Sequence, residues 1–457
     1  MKLFQKLLQI IICTIFVNNN AVAQSLSLIR DVETEDLLKA ITLPLIRASN
    51  LRQEDVQIYI VNDSSVNAFV MSGQNIFVNT GLIIKYEDPN TLSGVLAHEI
   101  GHIAAGHLAR GQEEMNNLNK VTILSYLAGI AAAAFGGGDA GYAVLTGTNQ
   151  VAQRLAVNHS RTQEEAADKL ALEYLKATNN SPIGLLKLLN DFNKDEAEYR
   201  NLIDEYALTH PISQKRVNYI KSHLSDFTSL YQNRELNLKM QFVVAKLKAF
   251  LQDSNKVLIN SSTNSPFDRY ARSVAYFKKG EIENSLKELN ILIKSFPKNG
   301  YFYELKGQVL FESGQITESI KSYHEAIKFL PHTDLVKISM STSILALRSN
   351  DKDLVNFAIK NLKEANKTEK NSGQIFVELA KAYTKLGEIG KSYLSLAELN
   401  LLKKDYEKTK KYAKLALEKL EKNDKSNRIK AQDILEIIKD ELKKDGKDLD
   451  DKVKKEN

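Results

Sequence analysis

The sequence predicts an α+β domain followed by an all-α solenoid of short helical repeats. Segments rich in β-branched and aromatic residues lie between positions 56 and 78, and amphipathic helical segments flank them. Two histidines four residues apart lie in an apolar helical run near position 100. From about position 266, glycine, serine and proline recur at intervals of 34 residues, which indicates stacked helix–turn–helix units.

Length and composition limit the class of protein. A chain of 457 residues is too long for one hydrophobic core and predicts two or three domains. With 43% hydrophobic and 26% charged residues, the chain is expected to be globular. The net charge of +6 is small for this length, and we therefore expect no nucleic-acid partner.

The first 23 residues have the pattern of a secretory signal peptide. Lys2 and Lys6 flank the start, an apolar run covers residues 7–17, and the small residues 21–23 form an A-x-A cleavage site. The apolar run is too short for a permanent membrane anchor. Cleavage would also remove Cys13, the single cysteine, so any metal ion in the mature chain would be held by histidines and carboxylates.

Residues 24–225 predict the α+β domain. One helix is predicted over residues 31–48 and a longer one from about residue 90 to residue 111. Three short segments between these helices have the composition of strands and are separated by turn residues: 56–61, 66–70 and 75–78.

The Ala-rich segment 121–149 has two interpretations. Its apolar run ends at three glycines, residues 136–138, and has fewer than the roughly 18 apolar residues that a membrane span needs. We therefore expect a buried helix or a flap, and peripheral contact with a membrane is the alternative.

Residues 266–424 predict about four helical repeats. Gly280 and Gly314 are 34 residues apart, as are Pro297 and Pro331. A helix–turn–helix unit of this length, with a glycine in its middle and a proline at its end, resembles the tetratricopeptide repeat, which stacks into a curved solenoid.

Two further segments flank the repeats. Residues 226–265 predict a helical linker between the α+β domain and the first repeat. Residues 425–457 are dense in Lys, Asp and Glu and predict a charged C-terminal helix and tail.

The strongest local signal for chemistry is the motif H-E-x-x-H at His98, Glu99 and His102. The two histidines are four residues apart and lie on one helix face, where both imidazoles can bind one Zn²⁺ ion. Glu99 lies beside them and can take a proton from the attacking water. The alternative, a pair of surface histidines, is disfavoured because apolar residues surround the motif.

His107 resembles the last histidine of the longer metzincin motif, but it lies one residue too early in the sequence. That motif would need a histidine at position 108, where this chain has leucine. On a straight helix, His107 lies about 180° around the axis from His98 and cannot share its metal ion. We therefore predict a structural role for His107.

The third protein ligand of a catalytic zinc ion must come from another part of the chain. Ser160 and Gln163 form a capping box, which predicts the start of a helix. In that helix Glu164 and Asp168 lie on the apolar face, while Glu165 faces water. We predict Glu164 as a zinc ligand and Asp168 as the acceptor for the second N–H of a ligand histidine. The alternative is an acidic pair that interacts with the helix dipole.

The combination of H-E-x-x-H with a later E-x-x-A-D resembles the zinc metallopeptidase family of the CAAX prenyl protease and the heat-shock membrane protease HtpX. Exported members with C-terminal tetratricopeptide repeats are similar to this chain over nearly its whole mature length. The resemblance implies a zincin-like α+β fold, one zinc ion per chain, and an endopeptidase that also acts as a chaperone. Such proteins assist the assembly of outer-membrane β-barrel proteins and degrade those that stall.

The same resemblance covers the segment T-H-P-I-S-Q-K-R, which contains His210 and Arg216. In the family this histidine lies near the metal, and in exported members it resembles a fourth, regulatory ligand. Arg216 is expected to stabilise an oxyanion or to anchor a carboxylate, and the alternative is an ordinary surface arginine. The predicted catalytic residues are therefore Glu99, Asp168, His210 and Arg216, and the predicted metal ligands are His98, His102 and Glu164.

Two functions are compatible with these motifs. The first is a periplasmic zinc endopeptidase with a chaperone-like role in outer-membrane protein assembly and in the degradation of misfolded envelope proteins. Its expected partners are unfolded or stalled envelope polypeptides and, through the solenoid, the outer-membrane β-barrel assembly machinery. The alternative is a non-catalytic tetratricopeptide chaperone or adaptor, in which His210 permanently closes a structural zinc site.

Overall fold

The computed structural model describes residues 27–71, 73–107, 160–198, 206, 209–227, 233–349, 351–369 and 372–453. The predicted signal peptide and the segment 121–149 lie outside the described residues. The chain divides into two compact units, of which the first ends at Leu247 and the second begins at Lys248. Within the described ranges, no helix combines the length and the apolar character that crossing a bilayer requires.

The first unit contains a small mixed sheet and several helices. Its principal elements are β1 (Leu28–Ile29), α1 (Val32–Ala48), β2 (Gln57–Val61), β3 (Ala68–Met71), β4 (Asn75–Asn79), α2 (Thr80–Tyr86), α3 (Pro89–Ala104), α4 (Arg161–Ala177), α5 (Ile183–Glu198), α6 (Gln214–Ser222) and α7 (Arg234–Leu251). The first predicted helix and the three predicted strands are confirmed to within two residues at each end. Strand β1 was not predicted, because two residues are too few for a period-two pattern.

The strand order in the sheet is β1-β2-β4-β3. Strands β2 and β4 are parallel, while β1 pairs with β2 and β3 pairs with β4 in antiparallel fashion. In the last pair Ala68 lies opposite Val78, and Met71 lies opposite Asn75. Strand β3 is therefore an edge strand of the described sheet, and one side of its backbone has no neighbouring strand there.

Helix α3 passes through the core of the first unit and starts at a strong capping signal. The Asp88 side chain accepts hydrogen bonds from the backbone N–H groups of Asn90 and Thr91, and Pro89 occupies the first turn. Five apolar residues of this helix are completely buried: Leu92, Val95, Leu96, Ala97 and Ile100.

Helix α3 ends seven residues earlier than the sequence predicted. Ala105 caps its last turn, and Gly106 follows with a left-handed φ of +66°. A glycine in this conformation directly after a helix is a common stop signal, because glycine adopts positive φ without a steric penalty. The apolar pattern continues beyond Gly106, and the prediction of one helix to residue 111 was wrong for this reason.

Helices α3 and α4 approach each other closely at Gly101. A Cβ atom on Gly101 would lie 2.8 Å from the backbone oxygen of Ala167, so a side chain at this position would push the two helices apart. This close approach brings the H-E-x-x-H motif of α3 next to the N-terminal turns of α4.

Helix α7, up to Leu247, belongs to the core of the first unit, although its residues lie within the segment that predicted a linker. Four apolar side chains of α7 are buried in that core: Met240, Val243, Val244 and Leu247. In addition, Lys246 Nζ lies 2.5 Å from the carboxylate of Asp31, which caps the start of α1.

The second unit is helical throughout its described elements. These are α8 (Ser254–Asn260), α9 (Pro266–Lys278), α10 (Ile282–Ser295), α11 (Gly300–Glu312), α12 (Ile316–Phe329), α13 (Asp334–Ala346), α14 (Lys352–Ala365), α15 (Gly373–Lys385), α16 (Ile389–Leu402), α17 (Tyr406–Lys419) and α18 (Lys425–Val453). Helices α9, α11 and α13 begin 34 residues apart, as the sequence period predicts.

Three helix pairs of this unit, α9/α10, α11/α12 and α15/α16, repeat one local design. Their turns each contain a glycine with a positive φ: Gly280, Gly314 and Gly387. In each pair a serine of the second helix donates a hydrogen bond to a carbonyl 12 residues earlier, in the first: Ser285 to Ser273, Ser319 to Gly307, and Ser392 to Ala380. The second unit therefore contains three helical hairpins of similar design.

Candidate metal centre

Two histidines of α3 form one side of a buried polar cluster. His98 and His102 lie one helical turn apart, and neither side chain is exposed to solvent. Their Nε2 atoms are 3.0 Å apart. Both rings therefore direct the same nitrogen toward one point, as the spacing of the motif predicts.

Glu164 reaches this point from α4. Its Oε2 lies 3.2 Å from His98 Nε2, and its Oε1 lies 3.2 Å from His102 Nε2. The capping box between Ser160 and Gln163 fixes the start of α4 and with it the direction of this side chain. Glu164 is completely buried, whereas the neighbouring Glu165 is partly exposed and pairs with Lys215, as the helix periodicity predicts.

His210 enters the cluster from the segment that precedes α6. Its Nδ1 lies 3.2 Å from Glu164 Oε1, and its Nε2 lies 3.2 Å from the carbonyl oxygen of Ala68 in β3. The side chain is 1% exposed. The structure thus brings His210 next to the three predicted metal ligands, although it lies more than forty residues beyond Glu164 in the sequence.

The donor atoms fit a metal ion. One donor atom each from His98, His102, Glu164 and His210 lies within 4.8 Å of all the others. A tetrahedral zinc ion with bonds of about 2.0–2.1 Å would separate its ligand atoms by roughly 3.3 Å, close to the 3.0–3.2 Å contacts in this cluster. Imidazole nitrogen and carboxylate oxygen are also ligands that zinc prefers.

The protonation of His98 supports the same assignment. Its Nδ1 lies 2.9 Å from Asp168 Oδ1, and because an ionised carboxylate can only accept, the imidazole proton belongs on Nδ1. In the neutral imidazole, the Nε2 atom then presents a lone pair to the centre of the cluster. This is the carboxylate–histidine arrangement that orients metal ligands in proteins, and the sequence predicted it for Asp168.

Charge in the metal-free cluster is balanced by protons. Burial lowers the pKa of His98, but the carboxylates of Glu164 and Asp168 outweigh it and raise this pKa to about 10. Burial would raise the pKa of Glu164, yet His210 and His98 hold it well below its usual value. A metal ion must displace the proton on His98 Nε2, so metal affinity is expected to fall as the pH is lowered.

Glu99 is the unsatisfied carboxylate of the site. It is completely buried, and neither of its oxygens accepts a hydrogen bond from a described group. Its Oε1 lies 3.4 Å from His210 Nε2. Burial raises the pKa of Glu99, because the charged form is poorly solvated there. A buried carboxylate without hydrogen bonds suits a group that exchanges protons with a bound water or substrate.

Arg216 anchors the two carboxylates of α4. Its Nε and Nη2 atoms lie 2.7 and 2.9 Å from the two oxygens of Asp168, and its Nη1 lies 2.6 Å from Glu164 Oε2. Since Nη1 also donates to the carbonyl of Pro211, these contacts support carboxylate anchoring over stabilisation of an oxyanion. The side chain is 1% exposed, so the alternative of a surface arginine is wrong.

Tyr206 is a site residue that the sequence analysis missed. Its ring stacks on His210 with 4.7 Å between the centroids, and its other neighbour in the stack is Phe192 at 5.1 Å. Tyr206 precedes His210 by four residues, which is the spacing of neighbours on one helix face. This spacing was the signal in the sequence that could have placed Tyr206 beside His210.

His107 also differs from the prediction in its position. Its Nδ1 lies 2.9 Å from His102 Nδ1, and its side chain is buried. The predicted position on the opposite helix face assumed that the helix continues straight to residue 107. The helix instead ends at Ala104. His107 is absent from the group of four donors, so it does not share the metal position.

Two imidazoles and a buried glutamate on one helix, with a carboxylate from a second helix, define the class of H-E-x-x-H metallopeptidases. Residues 33–224, which are less than half of the chain, match the model of peptidase family M48. The match confirms, for this segment, the resemblance that the motifs predicted.

Several curated proteins are similar to the chain, and two of them match more residues than the family segment contains. The β-barrel assembly-enhancing protease of Escherichia coli K12 is 22% identical over 314 residues, which cover 66% of this chain and 63% of the relative. The protein of that name from Yersinia pestis is 24% identical over 57% of this chain and 55% of its own length. The metalloprotease LoiP of Escherichia coli is 28% identical over 39% of this chain and 66% of its length. The chain thus spans less than two thirds of the assembly-enhancing proteases it matches.

Proposed function

We propose that this chain is an exported zinc-dependent endopeptidase that degrades misfolded envelope proteins and assists the assembly of outer-membrane proteins. The observation that supports it most is the convergence of His98, His102 and Glu164 beside the buried carboxylate of Glu99. A periplasmic location and a chaperone-like role belong to the same proposal, and the name of the Escherichia coli relative supports the link to β-barrel assembly.

The chemistry divides between a metal ion and one carboxylate. A zinc ion held by His98, His102 and Glu164 would supply Lewis acidity, which lowers the pKa of a water molecule and polarises the scissile carbonyl. Glu99 would accept the proton of the attacking water and deliver it to the leaving amine. The raised pKa of Glu99 favours the first transfer, because a more basic carboxylate takes a proton from the attacking water more readily. Asp168 and Arg216 hold His98 and Glu164 in place.

Substrate binding is proposed at the edge of the sheet. Strand β3 pairs with β4 on one side, and the carbonyl of Ala68 in β3 lies 3.2 Å from His210 Nε2. An extended polypeptide could pair with the other side of β3 and place a peptide bond next to the metal centre. Main-chain pairing requires no particular sequence, which suits an enzyme that acts on unfolded envelope proteins.

The second unit is proposed to be a tetratricopeptide solenoid that recruits partners. Its support comes from the 34-residue spacing of helix starts, the positive-φ glycines and the repeated serine-to-carbonyl bonds. Stacked repeats of this type present extended surfaces for polypeptide partners. We propose the outer-membrane β-barrel assembly machinery as the partner of this surface.

Removal of the metal tests the proposed activity. We expect the purified mature chain to cleave casein, to lose cleavage to background after treatment with a chelator, and to regain it with one equivalent of zinc. Cleavage is measured by release of acid-soluble peptides, and metal content by atomic absorption. Cleavage that persists in metal-free protein would contradict a zinc-dependent mechanism.

A second candidate function follows from the position of His210. Because His210 supplies a fourth donor within 4.8 Å of the others, the four residues could close a zinc site that is structural rather than catalytic. The chain would then be a non-catalytic chaperone or adaptor. An intermediate case is a gate, in which His210 must leave the metal before a substrate can bind.

Replacement of His210 by alanine distinguishes these functions. We expect cleavage of casein to rise roughly tenfold with zinc retained, which corresponds to a cost of about 1.4 kcal/mol for opening the gate. His223→Ala, at the other end of α6, is the matched control and should change neither quantity. A fall in cleavage would instead indicate that His210 contacts the transition state, and no change in cleavage or zinc content would remove His210 from the site.

A further inference from the structure

The imidazole of His107 contacts the metal-ligand candidate His102 on the side opposite the metal position. His102 directs Nε2 toward His98 and Glu164, and it directs Nδ1 toward His107. The two Nδ1 atoms are 2.9 Å apart, and the ring centroids are 5.0 Å apart with the planes inclined by 70°. His107 is 5% exposed, so the contact is shielded from water.

The backbone break after α3 makes this contact possible. On a continued α-helix, His107 would lie about 140° around the axis from His102 and would point away from it. The helix ends at Ala104, and the chain turns at Gly106, which has a φ of +66°. A Cβ atom on Gly106 would meet no described atom within 4 Å, so the glycine serves the backbone conformation and not close packing.

The proton between the two rings has one position that is compatible with metal binding. A metal ion on His102 Nε2 requires a lone pair there, and a neutral imidazole then carries its proton on Nδ1. At 2.9 Å this Nδ1–H donates to His107 Nδ1, which must be the unprotonated nitrogen of its ring. His107 therefore selects the tautomer of His102 in which Nε2 is free to bind.

We propose that His107 is a positioning residue that fixes the tautomer and the ring orientation of the metal ligand His102. The inference rests on the proposed metal site and deepens it. His98 has the carboxylate of Asp168 in the corresponding place, held by Arg216. The two ligand histidines thus differ, because one has an anionic acceptor behind it and the other a neutral imidazole.

Zinc affinity is the quantity that tests this role. Loss of such a partner typically lowers metal affinity about 10- to 100-fold, and we expect this effect for His107→Ala in competition with a chromophoric chelator. His107→Asn should restore much of the affinity, because the amide Oδ1 can accept the hydrogen bond in the place of Nδ1. His324→Ala, at an exposed position of the second unit, controls for the removal of a histidine.

A second pair of variants tests the backbone break without touching His107. Gly106→Ala should lower zinc affinity in the same direction, because alanine disfavours the left-handed conformation. Gly106→Asn should have a smaller effect, since asparagine tolerates that conformation better. The thermal midpoint of each metal-free variant is measured alongside, and Gly106→Ala should lower it more than Gly106→Asn, because the backbone strain also destabilises the fold.

The outcomes separate this inference from the proposed function. Wild-type affinity in His107→Ala, or equal losses in His107→Ala and His107→Asn, would overturn the positioning role while the zinc site stands. A wild-type chain that binds no zinc would instead overturn the proposed function and this inference with it.

Discussion

Replacement of Glu99 by glutamine is expected to lower the kcat for casein cleavage roughly 100- to 10,000-fold, the range for removal of a general base. Glutamine has the shape of glutamate but cannot take a proton from the attacking water. Since Glu99 is outside the group of metal donors, the variant should still bind one zinc ion per chain. Peptide release and metal content, measured on the same preparation, check both parts.

The stability of the Glu99→Gln variant provides an independent check. Burial raises the pKa of Glu99, so the metal-free folded state is penalised when this group ionises. The folded state has its full stability below the unfolded-state pKa, where Glu99 is protonated. It loses stability as the pH rises through the folded-state pKa of this group. At neutral pH the neutral glutamine should therefore leave the thermal midpoint of the metal-free chain unchanged or raise it.

In the cleavage experiment, a rate for Glu99→Gln equal to wild type would rule out Glu99 as the base.

Replacement of Glu164 by alanine is expected to abolish stoichiometric zinc binding and, with it, cleavage. Glu164 contributes oxygens within 3.2 Å of both ligand histidines, and its loss leaves the α3 pair with one protein ligand fewer. The affinity should fall by more than the roughly 10- to 100-fold expected for an outer partner. Glu165→Ala is the matched control, because this neighbour is partly exposed and pairs only at the surface with Lys215.

The ion pair between Glu164 and Arg216 complicates that experiment in a predictable way. Removing one partner of a buried pair costs up to about 3–5 kcal/mol, although Arg216 keeps both contacts with Asp168. Glu164→Gln retains an oxygen that can accept from Arg216, and it should therefore lose less stability than the alanine variant. Full zinc occupancy in the folded Glu164→Ala protein would contradict the role of Glu164 as a ligand.

Local patterns in the sequence predict much of the candidate metal centre. The four-residue spacing of His98 and His102 requires a common helix face. The capping box at Ser160 sets the phase of α4, and that phase separates the buried Glu164 and Asp168 from the outward Glu165. In these cases a periodic rule and a terminal signal act within one helix, so no tertiary information is needed.

Contacts that cross between elements were not predictable in the same way. Arg216 reaches Asp168 over 48 residues of sequence, and only the packing of α6 against α4 decides between its two predicted roles. His107 was misplaced because the apolar pattern continues past Gly106, whereas the chain turns there. The family resemblance supplied His210, since a histidine before a proline carries little signal by itself.

The most direct test of the metal centre is the anomalous X-ray signal of crystals of the mature chain, recorded on both sides of the zinc absorption edge. We expect a single strong peak within bonding distance of His98 Nε2, His102 Nε2 and a Glu164 carboxylate oxygen. A zinc ion bound by other residues, or zinc-loaded crystals without a peak at this position, would contradict the proposed metal centre.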